Sequence, residues 1–323
     1  MASTSNSSGI HLGTSAFTAA GWEDSFYPKG MKAADYLTYY ATKFDTVEVD
    51  STFYRTPTAA TVNGWARKTP GNFIFSVKVP QAVTHEKMLV GAEPDFKQFV
   101  ETMELLGDKL GPMVLQFPYF NRTKFKSGGE FLNLLNAFMK KLPKDHMFAV
   151  EIRNKSWLDA RFAAALRDLN VALVLQDHSW MPRPAQLFEK FDPITADFTY
   201  IRWLGDRKGI EQRTKTWDVV IVDRRTELAE WVEIVRKVHE RRVQIFVYAN
   251  NHYAGHAPST VETFRKMLGP LATGPVSDHE KSAVPDEPRT LRSGQAASSS
   301  AAKNSAPRSA KPRRTEKQPS LFD

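Results

Sequence analysis

Cysteine is absent from this 323-residue chain. That excludes disulfides, thiol nucleophiles and cysteine-ligated zinc, and it suits a reducing cytoplasm, the expected location. Long apolar runs are missing too. No stretch approaches the ~20 residues of a membrane span, so no membrane partner is expected. Met1 to Gly9 has no basic-then-apolar order, so no secretion signal is visible and the segment reads as a disordered N-terminus. Histidine is scarce, with eight in all. His85, His178, His252 and His256 fall near strand ends, but no His-x-Glu-x-x-His spacing occurs. No cofactor is expected, and a divalent metal stays open as an alternative. No Gly-x-Gly-x-x-Gly follows the first strand, which argues against a dinucleotide fold.

The charge that is present is unevenly spread. The chain carries a net +8, of which residues 289–323 supply +6 (eight Lys/Arg against two Asp/Glu) and residues 1–288 only +2. The body alone does not argue for a polyanionic partner. From 273 onward Ala, Ser, Pro, Lys and Arg dominate, and such a segment buries too little apolar surface to offset its ordering entropy. Residues 273–323 therefore read as a disordered basic tail.

Eight strand-like runs stand in order: Ile10–Phe17, Thr46–Tyr54, Phe73–Pro80, Pro112–Pro118, Met147–Asn154, Val171–His178, Phe198–Gly205 and Gln244–Tyr253. Several are nearly continuous in apolar residues, as strands covered on both faces are. Helical patterns separate them, at 33–44, 58–68, 94–110, 131–142, 160–169, 226–241 and 259–268. The proline-rich stretch between the sixth and seventh strands has room for only a short helix. Alternation of this kind over ~250 residues is the (β/α)₈ TIM-type barrel, an α/β fold, here placed at residues 10–272.

In that fold the active site forms at the C-terminal strand ends. Glu48 and Asp50 share one face of the second strand, and Glu151 and Arg153 share one face of the fifth. Glu48, Asp50 and Glu151 are candidate general acids or bases. Arg153, Lys78 and Arg202 are candidate anion clamps. The same pairs read equally well as structural ion pairs. His85, Gln116, Trp157 and Asp177, with the amide pair Asn250 and Asn251, complete the candidate ligand-binding set. Aromatics including Tyr54, Tyr119, Trp180 and Trp203 lie near the same ends and suit stacking beside phosphates.

The opening Gly13-Thr14-Ser15, then Gly21-Trp22 and Phe26-Tyr27-Pro28, resembles the start of the YecE-like (DUF72) family. Val47 through Tyr54, Phe75-Ser76-Val77-Lys78 with His85, Leu115-Gln116-Phe117-Pro118, Glu151-Ile152-Arg153 with Ser156-Trp157, Tyr200-Ile201-Arg202 with Gly205, and Tyr248 through Asn251 extend the likeness. It spans roughly residues 10–270 and implies a TIM-type barrel but little chemistry. By architecture alone that barrel is similar to the endonuclease IV and xylose isomerase group, whose dense His/Glu metal cluster this chain lacks.

The tail ends Gln318-Pro319-Ser320-Leu321-Phe322-Asp323. This resembles the peptide by which bacterial proteins bind the sliding clamp: Leu321 and Phe322 are apolar anchors, Gln318 an orienting amide, and the basic linker can lie along DNA. The leading expectation is a cytoplasmic, DNA-associated barrel that binds or hydrolyses a phosphate-containing ligand at its mouth. A metal-independent enzyme on a small sugar or sugar phosphate, and a non-catalytic binding module, are the alternatives.

Overall fold

The computed structural model describes residues 9–272. The expected disorder of residues 1–8 and 273–323, and the clamp-like peptide Gln318, Leu321 and Phe322, lie outside the described residues. Gly9, expected in the disordered N-terminus, is instead tied to the sheet, its carbonyl accepting from Ile245 N–H at 3.0 Å.

The eight strands are β1 (Ile10–Thr14), β2 (Thr46–Val49), β3 (Ile74–Lys78), β4 (Leu110–Gln116), β5 (Phe148–Glu151), β6 (Ala172–His178), β7 (Phe198–Gly205) and β8 (Gln244–Ala249). All their pairings are parallel, in the order β1-β8-β7-β6-β5-β4-β3-β2. The helices are α1 (Tyr36–Tyr40), α2 (Ala59–Arg67), α3 (Glu93–Met103), α4 (Gly128–Met139), α5 (Ala160–Arg167), α6 (Pro184–Lys190), α7 (Arg207–Glu211), α8 (Arg225–Glu240), α9 (Asn251–Ala254) and α10 (Ala257–Leu268). This is the (β/α)₈ arrangement, nearly closed. The short α6 fills the proline-rich gap.

Side chains close the remaining seam, between β1 and β2. The Tyr40 hydroxyl accepts from Thr14 N–H (2.9 Å) and donates to the Thr46 carbonyl (3.1 Å). The Asp45 carboxylate accepts from Leu12 N–H (3.3 Å). These bonds satisfy backbone groups that a strand ladder would otherwise pair. The approach is close enough that a Cβ on Gly13 would stand 2.2 Å from the Thr46 carbonyl oxygen. Gly13→Ala is therefore expected to force the seam apart and cost about 1–3 kcal/mol, the usual range for overpacking. Urea unfolding of the variant checks this, and an unchanged midpoint would show that the seam yields freely.

Two apolar cores follow from the period-2 alternation of the strands. The larger lies between the strands and the helices, where α8 buries Leu228, Trp231, Val232, Val235 and Val238 at the predicted steps. The smaller fills the barrel itself with Val114, Ala149, Ala172, Val174, Phe198, Tyr200, Phe246 and Tyr248. That plug leaves the charged residues at the C-terminal strand ends as the next layer up.

Six of the expected strands stop early, at Thr14, Val49, Lys78, Gln116, Glu151 and Ala249, and three of these stops shape the mouth. After Val49 the chain turns into a 3₁₀ helix, Asp50–Phe53. The Thr52 hydroxyl holds this turn to β3, accepting from Lys78 N–H (3.0 Å) and donating to the Lys78 carbonyl (2.7 Å). After β5 the chain reaches a 3₁₀ turn at Lys155–Trp157. After β8, Asn250 caps α9 by accepting from His252 N–H (3.0 Å). Helix α10 also starts earlier than expected, at Ala257, so Pro258 lies inside its first turn, where a missing N–H costs nothing.

Candidate functional site

In-phase strand pairing carries the inward residues to common levels. Glu48 sits opposite Ser76, Gln116 opposite Glu151, and Gln176 opposite Arg202, which in turn faces Tyr248. A layer of ionised groups results, with Glu48, Asp50 and Glu151 against Lys78, Arg153 and Arg202. Formally its charges cancel.

Arg202 is the hub. Its Nη1 donates to Glu151 Oε2 at 2.7 Å, and its Nη2 donates to Glu48 Oε1 at 2.7 Å and Asp50 Oδ1 at 3.1 Å. Its Nε donates to Glu48 Oε1 at 3.1 Å. Burial opposes its charge, but the three carboxylates outweigh that and push its pKa well above the ordinary value. The anion-clamp role expected of Arg202 is therefore corrected: its guanidinium is committed to carboxylates of the chain itself.

The carboxylates differ from one another. Burial would raise Glu151, but Arg153 and Arg202 overcome it and hold the group down to about 2. A base so weak transfers protons poorly near neutrality, which removes the argument for Glu151 as general base. Its Oε1 lies 2.6 Å from Arg153 Nη2 as an ion pair without an aligned hydrogen bond. Glu48 is raised, by burial first, although Arg202 opposes the shift and Tyr200 donates to its Oε2 at 2.6 Å.

Lys78 and Arg153 keep capacity. Arg153 donates through Nη1 to Gln176 Oε1 and pairs with Glu151, leaving other N–H groups of its fork. Lys78 is buried with its Nζ 3.8 Å from Asp50 Oδ1 and 4.1 Å from the centre of the Phe53 ring. Two imidazoles flank this pair. Burial, with the Lys78 and Arg153 charges, lowers His85 to about 4. Burial and Arg153 lower His178 to about 4 as well. Both are neutral at pH 7, so each ring offers one donor and one acceptor. His178 Nδ1 accepts from Trp180 N–H (3.3 Å), which leaves its proton on Nε2.

Other expected site residues stand apart. Asp177 occupies the alternate parity of β6 and faces the helices, where Arg183 Nη1 (2.8 Å), Trp231 Nε1 (2.9 Å) and Tyr253 Oη (3.0 Å) donate to it. Trp157 packs among Phe120, Phe125 and Phe131. Asn251 Oδ1 accepts from Trp22 Nε1 (3.2 Å) and Ala257 N–H (2.9 Å), and Asn250 serves as the helix cap. Trp203 is fully buried in the helix layer against Phe264. Gln116 is buried beside Glu151 and donates to the Phe117 carbonyl (2.8 Å).

Tyr200 and Gln176 belong to the cluster and are not among the expected site residues, and Phe53, one of the strand-end aromatics, joins them under Lys78. Tyr200 lies two positions before Arg202 and Gln176 two before His178, so parity carried back one step finds both. The rim is aromatic. Tyr54, Tyr119 and Trp180 follow β2, β4 and β6 and are 65%, 59% and 50% exposed. Tyr54 packs edge-on against Phe53, and Trp180 against His178.

Among the described residues no group of three or more His, Asp or Glu side chains is placed to hold a metal ion. No helix there is long and apolar enough to cross a membrane.

Residues 11–285 match the family described as "Protein of unknown function DUF72". The chain is 26% identical over 279 residues to UPF0759 protein YunF of Bacillus subtilis (strain 168), covering 80% of this chain and 94% of that one. It is 29% identical over 264 residues to UPF0759 protein YecE of Escherichia coli (strain K12), covering 76% and 92%. The solved structure of a DUF72 family protein from Thermotoga maritima MSB8 is similar at 28% identity, with a TM-score of 0.64 over 80% of this chain and 99% of that one. A second, from Enterococcus faecalis V583, shares the fold at 23% identity and a TM-score of 0.59, over 80% and 97%.

Proposed function

The chain belongs to the DUF72 family, and on that premise we propose that its barrel mouth binds the phosphate ester of a ring compound. The observation that carries this is the pairing of an aromatic rim with cations left short of partners beneath it. Tyr54, Tyr119 and Trp180 expose their rings at the mouth, and aromatic faces set beside cations suit stacking on a ring that carries a phosphate. Below them Arg153 retains N–H donors for a phosphate, with neutral His85 and His178 on either side. Arg202 serves by fixing the carboxylates, so that the ligand meets Arg153 and Lys78 and not a free acidic wall.

Two sources share this chemistry, a nucleic-acid strand and a small sugar phosphate. Anisotropy titration with a fluorescent single-stranded oligothymidylate, and calorimetry with ribose 5-phosphate, separate them. The Tyr54→Ala/Tyr119→Ala/Trp180→Ala variant is expected to weaken oligonucleotide binding by about 1–3 kcal/mol per stacked base, without change in thermal midpoint. An Arg153→Ala variant is expected to weaken either probe and to reduce the oligonucleotide's salt dependence. If neither probe binds the unaltered chain, the reading fails.

A second reading rests on the sequence of the tail. Gln318, Leu321 and Phe322 would dock on the bacterial sliding clamp and bring the barrel to DNA. Clamp binding by the full chain, lost in Gln318→Ala/Leu321→Ala/Phe322→Ala, supports it. Equal binding by both chains, or binding by neither, removes it.

A further inference from the structure

Lys78 is held in a way that salt bridging does not explain. Its side chain is 8% exposed. Among the described residues its Nζ has no hydrogen-bond acceptor, and its ion-pair contact to Asp50 is the loose one at 3.8 Å. Arg202 takes the tight bonds to the same carboxylates, at 2.7 to 3.1 Å. An ammonium usually takes up to three acceptors. Here the amine meets the face of Phe53 at 4.1 Å, and its side chain, at the C-terminal end of β3, keeps 8% of its surface exposed. Its backbone is pinned at both N–H and C=O by Thr52, so its position is built into the fold.

We infer that Lys78 is a nucleophilic amine whose Nζ condenses with an aldehyde or ketone that also carries a phosphate. The site supports each part of that step. Burial, before any other influence, lowers the lysine's pKa; Asp50, Glu151 and Glu48 pull it back and the nearby Arg202 charge pushes it down, with a net shift downward. More of the amine is therefore neutral and reactive near pH 7 to 8. The neutral amine attacks the carbonyl carbon. A C–N bond forms, the C=O π pair moves to oxygen, and a proton passes through solvent from nitrogen to that oxygen. The hydroxyl then leaves as water and the nitrogen lone pair completes an iminium. Amine, carbonyl compound and one proton become iminium and water. The iminium keeps the lysine's positive charge, which Asp50 faces.

The phosphate rests on the reading proposed above, with Arg153 as its partner; the condensation does not. The charged groups that act on the amine's titration are Asp50 just after β2, Arg202 of β7, Glu151 of β5 and Glu48 of β2, and His85 beyond β3 is in turn lowered by the lysine's charge.

The test uses the unaltered full chain. It is incubated with D-ribose 5-phosphate or D-ribose in sodium cyanoborohydride, and labelled lysines are mapped by peptide mass spectrometry. At pH 7.5 Lys78 is expected to be reductively alkylated several-fold faster than the exposed Lys97, because burial leaves more of its amine neutral. Its rate is expected to level off at lower pH than that of free Nα-acetyllysine. Faster labelling by the phosphorylated aldehyde, suppressed by inorganic phosphate, supports the phosphate. Labelling of Lys78 no faster than Lys97 overturns the inference. Fast labelling that is equal for both aldehydes and indifferent to phosphate removes the phosphate from it, and the earlier reading fails while the condensing amine stands.

Discussion

Replacing Arg202 with methionine is expected to cost about 3–5 kcal/mol of folding stability, the range for removing one partner of a buried ion pair. In a barrel of this size that lowers the thermal midpoint by roughly 10 °C. The guanidinium is 3% exposed and bonds three carboxylates, two of them fully buried. Without it Glu48 loses the main compensation for its burial, and Glu151 keeps Arg153 but loses the charge and hydrogen bond of Arg202. Lysine does not substitute, because a point charge cannot send separate N–H groups to Glu48, Asp50 and Glu151 together. Arg202→Lys is expected to fall between methionine and the unaltered chain. The double variant Arg202→Met/Glu48→Leu separates charge from packing, because it leaves Asp50 and Glu151 facing Lys78 and Arg153. If uncompensated carboxylates are the cause, it recovers much of the loss, as apolar replacements of buried ion clusters do. Urea unfolding with tryptophan fluorescence reads all of these. A loss below about 1 kcal/mol for Arg202→Met would show that water reaches the carboxylates and that the cluster is solvated.

The barrel was legible because its signal repeats. Eight apolar runs, each followed by a helical pattern, leave few other architectures. The seam between β1 and β2 was not legible, because Tyr40 and Asp45 act there as substitutes for backbone pairing and no local pattern marks such a role. The early ends of β2 and β8 were hidden for a similar reason. Thr52 reaches back to Lys78 and Asn250 caps the next helix, and either residue type also fits an extended strand.

Alternation within a strand found the cluster of Glu48, Glu151, Arg153 and Arg202, since a shared parity puts all four in the interior. It also misled at Asp177. Position near a strand end was taken as facing the mouth, although Asp177 lies one residue from Gln176 and so on the other face. Its bonds to Arg183, Trp231 and Tyr253 anchor β6 to the helices. What sequence cannot show is how a balanced set of charges divides itself. Three acids and three bases permit many pairings, and distance selected Arg202 as the hub. That choice leaves Lys78 loosely held and makes it the group of chemical interest.

Acid should unfold the chain partly through Glu151. Its folded pKa is depressed to about 2, against ~4.3 for a glutamate in an unfolded chain. A group depressed by folding adds stability above its unfolded pKa and loses it as pH falls toward the folded one. Glu151 therefore contributes about 3 kcal/mol at pH 7, at ~1.4 kcal/mol per unit, which disappears between roughly pH 5 and pH 2. Glu48 acts in the opposite sense. Its pKa is raised, so protonation favours its folded form and offsets part of the loss as pH falls. The measurement is urea stability from pH 7 to pH 3 for the unaltered chain and for Glu151→Gln. Glutamine cannot titrate, and it leaves Arg153 and Arg202 with one carboxylate fewer. The variant is expected to be less stable at pH 7 and to lose less on acidification, so that the gap between the two curves roughly halves by pH 3. Parallel curves would mean that Glu151 titrates alike in both states, and that the bonds from Arg202 and the ion pair with Arg153 do not hold it ionised.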